Sequence, residues 1–465
     1  MMLKKLIKNF VLRVRLARFK KKVTFSEKND QVVTIYDHLA PEDDAMLQSL
    51  NSRQAGGLWV NLKKVLSEGS SKKFMSMFYI GYGHRSIGDC GTTTVSLDGI
   101  SMLSAKAVQD WPLYSGQETS TRYIDVEGLG VYDPMKTENS SAIMKKWFDF
   151  YRDARPRLIE HLLEKFPIEK GQKESVYKKA IEARAFDILR SFLPAGAKTN
   201  ASIHMNLRQF GDKLLWMRHH PAKETSSLAL QMEEMLIKRY PSSFSEKRYP
   251  ESEEFRKDFM QNHYLWTGGI QKKMGSFIHG IKNISEMEFM RSFGDLQKKR
   301  PPKTDPPKVW NEYGTFQFDF MIDFGSYRDL QRQRSAEQRM PLLTTELGFE
   351  KWYLEELPED LQKEAEILIK DQTSDIESLA CSDVERQYYI AMGFRVPCRF
   401  TIKLADLIYI VELRSQKTVH PTARMVAQKM GGVLKDAFPD LVLYLDEEPA
   451  NFDVKRGTQD IVKKG

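Results

Sequence analysis

The sequence of 465 residues has few cysteines and no long apolar run. Cys90, Cys381 and Cys398 make no CxxC pair and no HExxH motif occurs, so we expect neither a disulfide framework nor a metal site. No segment approaches the roughly eighteen consecutive apolar residues of a membrane helix, so we expect no membrane span. The sparse thiols indicate a reducing compartment, and we expect the protein in the cytoplasm.

Acidic residues are missing from the first 25 positions, which carry nine lysines and arginines. The formal charge of the whole chain is +8, so the remainder carries −1 and is close to neutral. A neutral body argues against a broad nucleic-acid surface, which needs a large basic face. Residues 1–25 form a basic leader, for which we favour a solvated helix; organellar targeting or a membrane-surface helix are the alternatives.

Periodic apolar residues predict the same order of elements in both halves of the chain. Strands are predicted at residues 92–97 and 316–322, where apolar or β-branched residues dominate or alternate with polar ones. Helices are predicted after the strands, at residues 101–110, 140–166, 174–192, 201–218, 222–240, 326–334, 358–370, 401–414 and 422–438. The proline-containing segments 240–254 and 300–308 are predicted to be a linker and a loop.

Length and a short echo both suggest that the chain has two related halves. The chain is too long for one ordinary core and predicts two domains of roughly 200 residues each. Arg218 is followed by His220-Pro221, and Arg414 is followed by His420-Pro421, each time after an apolar helix. This echo suggests duplication, although chance remains an alternative.

The densest polar cluster runs from Ser115 to Tyr123, after the helix broken by Pro112. Its hydroxyls, carboxylate and arginine could hold a phosphate and orient a ring. A structural alternative is a helix capping box, because Ser115-x-x-Glu118 fits that pattern.

Further arginines lie where a charge needs a partner. Arg328, Arg332 and Arg334 are close enough to repel unless an anion sits among them, and an exposed basic face is the alternative. Other arginines lie on predicted helices that are otherwise apolar, where an unpaired charge is costly. A phosphate or an acidic neighbour would serve equally for these residues, which are Arg190, Arg208 and Arg218.

Together these motifs resemble the flavin-dependent thymidylate synthase family. Its signature reads R-H-R, two to three residues, then S-x-N-E-x-S-x-R-Y, and residues 115–123 match the second part with Gln117 where asparagine is usual. The resemblance covers about residues 80–240 and is most specific in this nine-residue core. Outside the core, it extends to His84 and Ser86 in a His-x-Ser loop, and to Arg190, Asn206, Arg208 and Arg218.

The first half of the signature departs from the family. Asp110-Trp111-Pro112 stands at the R-H-R positions, so this copy looks unable to bind flavin in the family way. Residues 327–334, with Arg328, Arg332, Gln333 and Arg334, instead resemble the family's Ala-Arg-Gln-x-x-Arg-His-Arg. This second copy, at about residues 315–425, has lost the S-x-N-E-x-S-x-R-Y part, so the losses of the two copies are complementary.

The resemblance implies an α+β fold made of two fused copies, each with a small antiparallel sheet and long helices. We expect a leader at 1–25, a first synthase-like domain at 26–245 with the nucleotide-binding half of the signature, and a second at 246–465 with the flavin-binding arginines. The family works as a homotetramer with sites at subunit interfaces, so two fused chains would form a homodimer that is a pseudo-tetramer.

The implied reaction is reductive methylation of dUMP to dTMP at one composite site, with methylenetetrahydrofolate as carbon donor and FAD reduced by NADPH. Arg218 and Glu118 would be catalytic, with Arg218 polarising the uracil carbonyls. Substrate would be held by Ser115, Gln117, Ser120, Arg122 and Arg190. Cofactor would be held by His84, Ser86, Asn206, Arg208, Arg328, Arg332, Gln333 and Arg334.

Three other functions remain open at this point. The chain could be a non-catalytic paralogue that binds a nucleotide or flavin, or an enzyme of related one-carbon transfer to another pyrimidine nucleotide. It could also bind nucleic acid through the basic leader. The dipeptide Pro397-Cys398 matches the nucleophile of the unrelated cysteine-dependent synthases, but nothing else of that family occurs, and we expect Cys398 in the core.

Overall fold

The computed structural model describes residues 2–28, 31–67, 70–119, 127–265, 277–449 and 452–458. The chain forms two compact units, each assembled from separate segments. The first unit comprises Met1–Ser96, Leu113–Gly116 and Ser202–Met260, and the second comprises Leu97–Pro112, Gln117–Ala201 and Gln261–Gly465. The domain boundaries expected from the sequence stay a prediction.

Helices make up most of the regular structure. The α-helices are α1 (Met2–Lys20), α2 (Pro41–Asn51), α3 (Gly57–Val65), α4 (Ser70–Phe74), α5 (Met102–Gln109), α6 (Glu138–Lys165), α7 (Glu174–Leu189), α8 (Leu207–Met217), α9 (Lys223–Arg239), α10 (Pro250–Leu265), α11 (Glu286–Gln297), α12 (Phe324–Gln331), α13 (Lys351–Glu355), α14 (Glu359–Glu377), α15 (Asp383–Arg386), α16 (Leu404–Arg414) and α17 (Pro421–Ala437). A π-helix spans Met75–Gly81, and 3₁₀ turns lie at Arg85–Ile87, Glu127–Leu129, Arg190–Phe192, Lys308–Tyr313, Gln387–Tyr389 and Val454–Thr458. Among the described residues, no helix is both long and apolar enough to cross a membrane.

The strands form three small sheets. They are β1 (Thr24–Lys28), β2 (Gln31–Ile35), β3 (Thr92–Ser101), β4 (Ser115–Glu118), β5 (Lys198–Asn206), β6 (Ile278–Lys282), β7 (Thr315–Asp323), β8 (Glu337–Arg339) and β9 (Arg395–Lys403). The sheet orders are β1-β2, β3-β5-β4 and β6-β7-β9-β8, and the pairs of the four-stranded sheet are antiparallel. The predicted α+β class with small antiparallel sheets is therefore confirmed.

Alternating phenylalanines make β7 a central strand. Phe316, Phe318 and Phe320 are buried, whereas the residues between them are half-buried. Their partners on β9 are Ile402, Phe400 and Cys398, which are buried too. Full burial of each such side chain stabilises the fold by about 1.5–3 kcal/mol, so this face anchors the sheet. Cys398 is thus a core residue, as expected, and burial raises the pKa of its thiol well above the usual value.

The same sequence of elements occurs twice along the chain. The order β3, α5, β4, β5, α8, α9 is matched by β7, α12, β8, β9, α16, α17, and the sheet order β3-β5-β4 is matched by β7-β9-β8. The later elements also agree in length: β5 and β9 have nine residues, α8 and α16 eleven, and α9 and α17 seventeen.

Helices α5 and α12, which follow β3 and β7, both begin with an N-cap hydrogen bond. The Ser101 side chain accepts a hydrogen bond from the Ser104 amide at 3.0 Å at the start of α5. The Asp323 side chain accepts one from the Ser326 amide at 2.8 Å at the start of α12. Each satisfies an amide that has no partner inside its helix, so the strand-to-helix turn is fixed at the same point.

Several element predictions need correction. Residues 201–206 and 401–403 were expected to be helical but belong to β5 and β9, because Ala201, Ile203 and Met205 are buried at alternate positions, the period of a strand. The predicted linker at 240–254 contains the start of α10 at Pro250. Ser115 to Glu118 form β4, so the capping-box alternative for this segment is wrong.

The first unit has its own hydrophobic core. Phe19 at the end of α1 is 2% exposed and packs with Met46 and Leu47 of α2 and with Leu62 and Val65 of α3. The leader is therefore a helix whose last turn is part of a core. Its earlier turns are more exposed, and Phe10 is 68% exposed.

Candidate functional site

Glu118 joins two segments of the second unit that are 210 residues apart. One carboxylate oxygen makes an ion pair with Arg328 of α12, and the other accepts a hydrogen bond from Gln109 Nε2 of α5 at 2.6 Å. The Glu118 side chain is only 3% exposed, so water screens the ion pair poorly. The last residue of β4 is therefore in direct contact with α12, the helix that carries Arg328.

Arg190 approaches α12 beside this ion pair. It lies in the 3₁₀ turn after α7, is buried, and places a guanidinium nitrogen 3.3 Å from the Asp329 carboxylate and 3.4 Å from Ser326 Oγ. Burial alone would lower the pKa of Arg190, but the neighbouring carboxylates, Asp329 foremost, raise it, so the guanidinium is charged. The Nε atoms of Arg190 and Arg328 are buried without a hydrogen-bond partner among the described residues.

The end of α12 presents cations around a buried amide. Arg332 and Arg334 are exposed, whereas Gln333 between them is buried. With its amide oriented to satisfy both groups, the Gln333 oxygen accepts hydrogen bonds from Arg414 at 3.1 and 2.9 Å. Gln333 is thereby turned toward α16, and the two flanking arginines face outward.

A buried polar network holds the first turn of α12. Thr422 donates to an Asp323 oxygen at 2.7 Å, and Tyr353 donates to the other at 2.7 Å. His420 Nδ1 lies 3.0 Å from Ser326 Oγ. Burial raises the pKa of Asp323, and burial lowers that of His420 well below its usual value, so His420 is neutral. This network positions the helix that carries Arg328 and Asp329.

The C-terminal ends of α5 and α12 are joined as well. Gln331 Nε2 donates to the Lys106 carbonyl at 2.9 Å and to Asp110 Oδ1 at 2.5 Å, while the Lys106 ammonium lies 2.5 Å from Asp110 Oδ2. The carboxylate of Asp110, which stands at the family's first R-H-R position, is thus bound by Gln331 and Lys106.

Four predicted cofactor residues lie in the first unit around Asp89. Asn206 and Arg208 donate to the Asp89 carboxylate at 3.4 and 3.0 Å. His84 and Ser86 are exposed in the segment just before Asp89. The hydrogen bond that Arg208 donates to Asp89, foremost, and the charge of that carboxylate raise the pKa of Arg208. The structure thus brings these four residues to one part of the first unit.

Arg218 of the first unit is surrounded by acids. Its guanidinium is buried and donates to Glu233 at 2.9 Å and to Glu253 at 2.9 Å through Nε. Burial would raise the pKa of Glu253, but hydrogen bonds from Arg218 and His219 hold it below the usual value. Of the two partners left open for this arginine, the structure shows the acidic neighbours.

The other predicted substrate residues are less informative. Ser115 and Gln117 are exposed on β4. Ser120 and Arg122 lie outside the described residues. Sequence reasoning missed Gln109, Asp89, Glu233 and Glu253. Their contacts with the predicted residues span 9 to 119 positions and follow no local pattern.

Comparisons with known proteins match part of the chain to one family and most of the chain to three relatives. Residues 35–242 match the family described as thymidylate synthase complementing protein. A UPF0159 protein of Thermoplasma acidophilum is 24% identical over 450 residues, covering 80% of this chain and 89% of the relative. UPF0159 proteins of Chlamydia pneumoniae and Chlamydia muridarum are 25% and 24% identical, covering 74% and 75% of this chain and 75% and 76% of the relatives.

The resemblance to flavin-dependent thymidylate synthases that residues 80–240 carry is therefore confirmed. Residues 35–242 of the chain are similar to the thymidylate synthase complementing protein family.

Proposed function

We propose that this protein carries out flavin-dependent reductive methylation of dUMP to dTMP at a site composed of two diverged copies of the family's domain. The observation that carries the proposal is the pair of contacts Glu118–Arg328 and Arg190–Asp329. Each joins a residue that matches the family signature in the first copy to the arginine helix of the second. The match of residues 35–242 to the thymidylate synthase complementing protein family supports the reaction class.

Reciprocal main-chain hydrogen bonds support the two-copy organisation. The Ala195 amide donates to the Ile390 carbonyl at 2.8 Å, and the Met392 amide donates to the Leu193 carbonyl at 2.9 Å. A shift of 197 residues relates Ala195 to Met392 and Leu193 to Ile390, so donor and acceptor exchange roles. Such an exchange is what a two-fold interface between equivalent surfaces produces.

A second reciprocal pair extends the same seam. The Gly196 amide donates to the Tyr388 carbonyl at 2.8 Å, and the Gly393 amide donates to the Ser191 carbonyl at 2.7 Å, with the same shift of 197 residues. We call the contact between residues 190–197 and 387–394 the main-chain seam.

The two copies would contribute unequally to the chemistry. The shift of 197 residues places Gln387 where the first copy has Arg190. At the ends of the matching helices α5 and α12, Asp110 stands in the first copy where the second has Arg332. The composite site built from Arg190 and Arg332 therefore has an arginine from each copy. The equivalent site, built from Gln387 and Asp110, has none. We infer one working site for each chain, and two chains would form a homodimer that resembles a tetramer of family domains.

The residues present fit an anionic nucleotide and FAD. Buried Arg190 would bind the dUMP phosphate together with Arg122 and Ser120, because guanidinium groups match phosphate geometry. The unpartnered Nε atoms of Arg190 and Arg328 are donors that a ligand oxygen would satisfy. Exposed Arg332 and Arg334 would hold the FAD pyrophosphate. Bound FAD, reduced by NADPH, would supply the hydride, and methylenetetrahydrofolate the carbon.

The test uses the full chain, FAD, NADPH, methylenetetrahydrofolate and dUMP, with the product identified by mass. We expect flavin absorbance and formation of dTMP. Replacing Arg190 by alanine should lower dUMP affinity and turnover by roughly tenfold to a hundredfold, the effect of losing charged hydrogen bonds. Gln387→Ala is the matched control, since it truncates a buried polar side chain at the mirror position.

Because Arg190→Ala could disturb folding, Arg332→Ala is a second variant at an exposed position. Equal losses in Arg190→Ala and Gln387→Ala, or full activity in Arg332→Ala, would contradict the composite site. A yellow protein without dUMP-dependent flavin oxidation would be a binding module, and a product of another mass would assign transfer to another pyrimidine.

A further inference from the structure

A basic cavity lies in the first unit, and none of the residues that carry the proposed reaction lines it. Its volume is about 770 Å³. Its basic lining residues come from the end of the leader and from α4, and its one acidic lining residue comes from α2. The cations are Arg15, Arg18, Lys21, Lys22 and Lys72, and the acid is Asp43.

Packing fixes the cations of the leader at this cavity. Phe19 is buried in the core of the first unit, and Leu16 packs against that core, so the last turns of α1 cannot rotate freely. Arg15 donates to the Leu66 carbonyl at 3.0 Å, just beyond the end of α3, where helix carbonyls lack internal partners. The helix that carries Arg15 and Arg18 is therefore held in place at the cavity.

The charges of the cavity are unbalanced. Among the described residues, no carboxylate lies within ion-pair distance of the five lining cations. His38 also lines the cavity, and both of its ring nitrogens are buried without a hydrogen-bond partner in the described part of the chain. Like charges in a concave site concentrate the field and attract an anion. Both observations point to an anionic ligand with several acceptor oxygens.

The size and the remaining lining favour a small organic molecule. Cavities of roughly 300–1,000 Å³ are typical of small-molecule sites. Leu39, Val65 and Leu66 add an apolar wall on which an organic group could rest. We propose that this cavity binds an organic polyphosphate of the nucleoside triphosphate class. Because α1 ends before the family match begins at residue 35, the cavity is lined both by residues that precede the match and by residues within it.

Calorimetric titration of the full chain with inorganic tripolyphosphate and with thymidine triphosphate tests the proposal. We expect saturable one-to-one binding of both probes. Equal affinities would mean that the phosphates alone are recognised, and tighter binding of the nucleotide would identify a nucleoside triphosphate. The double variant Arg18→Ala, Lys22→Ala should weaken binding by roughly tenfold or more, since two charged contacts are lost.

The matched control is Arg13→Ala, Lys63→Ala, which removes two exposed charges nearby that do not line the cavity. We expect it to change affinity less than about threefold, as general electrostatics would. Equal weakening in both double variants would overturn the proposal. So would no binding of either probe by a chain that binds acidic lipid vesicles or RNA, because the cations would then serve a surface.

Discussion

Two arginines that the sequence assigns to the nucleotide have different surroundings. Arg218 is buried and donates to two carboxylates, Glu233 and Glu253. Arg190 faces one carboxylate, Asp329 at 3.3 Å, and keeps an Nε donor without a partner among the described residues. A donor that is not yet satisfied is available for an incoming anion. At the scale of single residues, Arg190 is therefore the better candidate for binding phosphate, and Arg218 holds its own unit together.

Replacing Arg218 by methionine tests that assignment. Removing one partner of a buried ion pair costs about 3–5 kcal/mol, so the free energy of unfolding at pH 7 should fall by that order in urea titrations. Because the folded-state pKa of Glu253 lies below its unfolded value, its contribution is present above about pH 4.5 and is lost as the pH falls through the folded-state value. The difference between wild type and variant should therefore shrink in acid.

Arg256→Ala is the control for this experiment. Arg256 also contacts Glu253, at 3.0 Å, but its side chain is 20% exposed, against 4% for that of Arg218. We expect a loss of about 1 kcal/mol, because water screens this pair better and Glu253 keeps its bonds to Arg218. A small effect of Arg218→Met that does not vary with pH would show that Arg218 has no structural role.

At the scale of elements, the leader helix α1 has two different ends. Phe19 is 2% exposed and Phe10 is 68% exposed. Phe19→Ala should destabilise the first unit by about 3–5 kcal/mol, because it leaves a cavity in the core. Phe10→Ala should change stability by no more than about 0.5 kcal/mol. Urea unfolding of both variants measures the difference, and limited proteolysis should cut the leader faster in Phe19→Ala alone.

The elements show which sequence signals could be trusted. Helices α6, α9 and α17 and strand β7 were predicted close to their observed bounds, because their apolar periods are long and end at prolines or polar turns. Strand β5 was missed because its alternating pattern runs directly into the apolar face of α8. The start of α10 was hidden by proline, which suits the first turn of a helix as well as a loop.

The same limit applies to the candidate site. Glu118, Arg190 and Arg328 were found because short motifs carry them. The acidic partners of Arg208 and Arg218 could not be found, because Asp89 and Glu253 lie more than thirty residues from them in the chain. Only the folded chain brings such groups together, and a single sequence has no period or spacing that reports them.

At the scale of the whole molecule, the main-chain seam joins the two sets of elements by main-chain hydrogen bonds, so we expect its packing to affect the stability of both. A Cβ at Gly196 would lie 2.7 Å from the Tyr388 carbonyl and 2.8 Å from that of Tyr132. Neither is a flexible side-chain end, so Gly196→Ala must push main chains apart. We expect a loss of about 1–3 kcal/mol and a lower melting temperature in scanning calorimetry.

Gly432→Ala on α17 is the matched control, because a Cβ there meets nothing within 4 Å. Alanine is the better helix former, so this variant should gain about 0.5–1 kcal/mol. If both glycine variants melt alike, the seam contributes nothing to the cooperativity of unfolding.

The main-chain seam has a consequence for how this protein could change over time. Peptide groups make all four reciprocal hydrogen bonds, and every amino acid except proline supplies both a peptide donor and a peptide acceptor. Apart from Gly196 and Gly393, where a Cβ would meet close neighbours, side chains along the seam can therefore be exchanged without loss of these hydrogen bonds. Under the two-copy proposal, an ancestor with two equivalent active sites could lose the activity of one by successive substitutions, while the main-chain hydrogen bonds between the copies stayed intact.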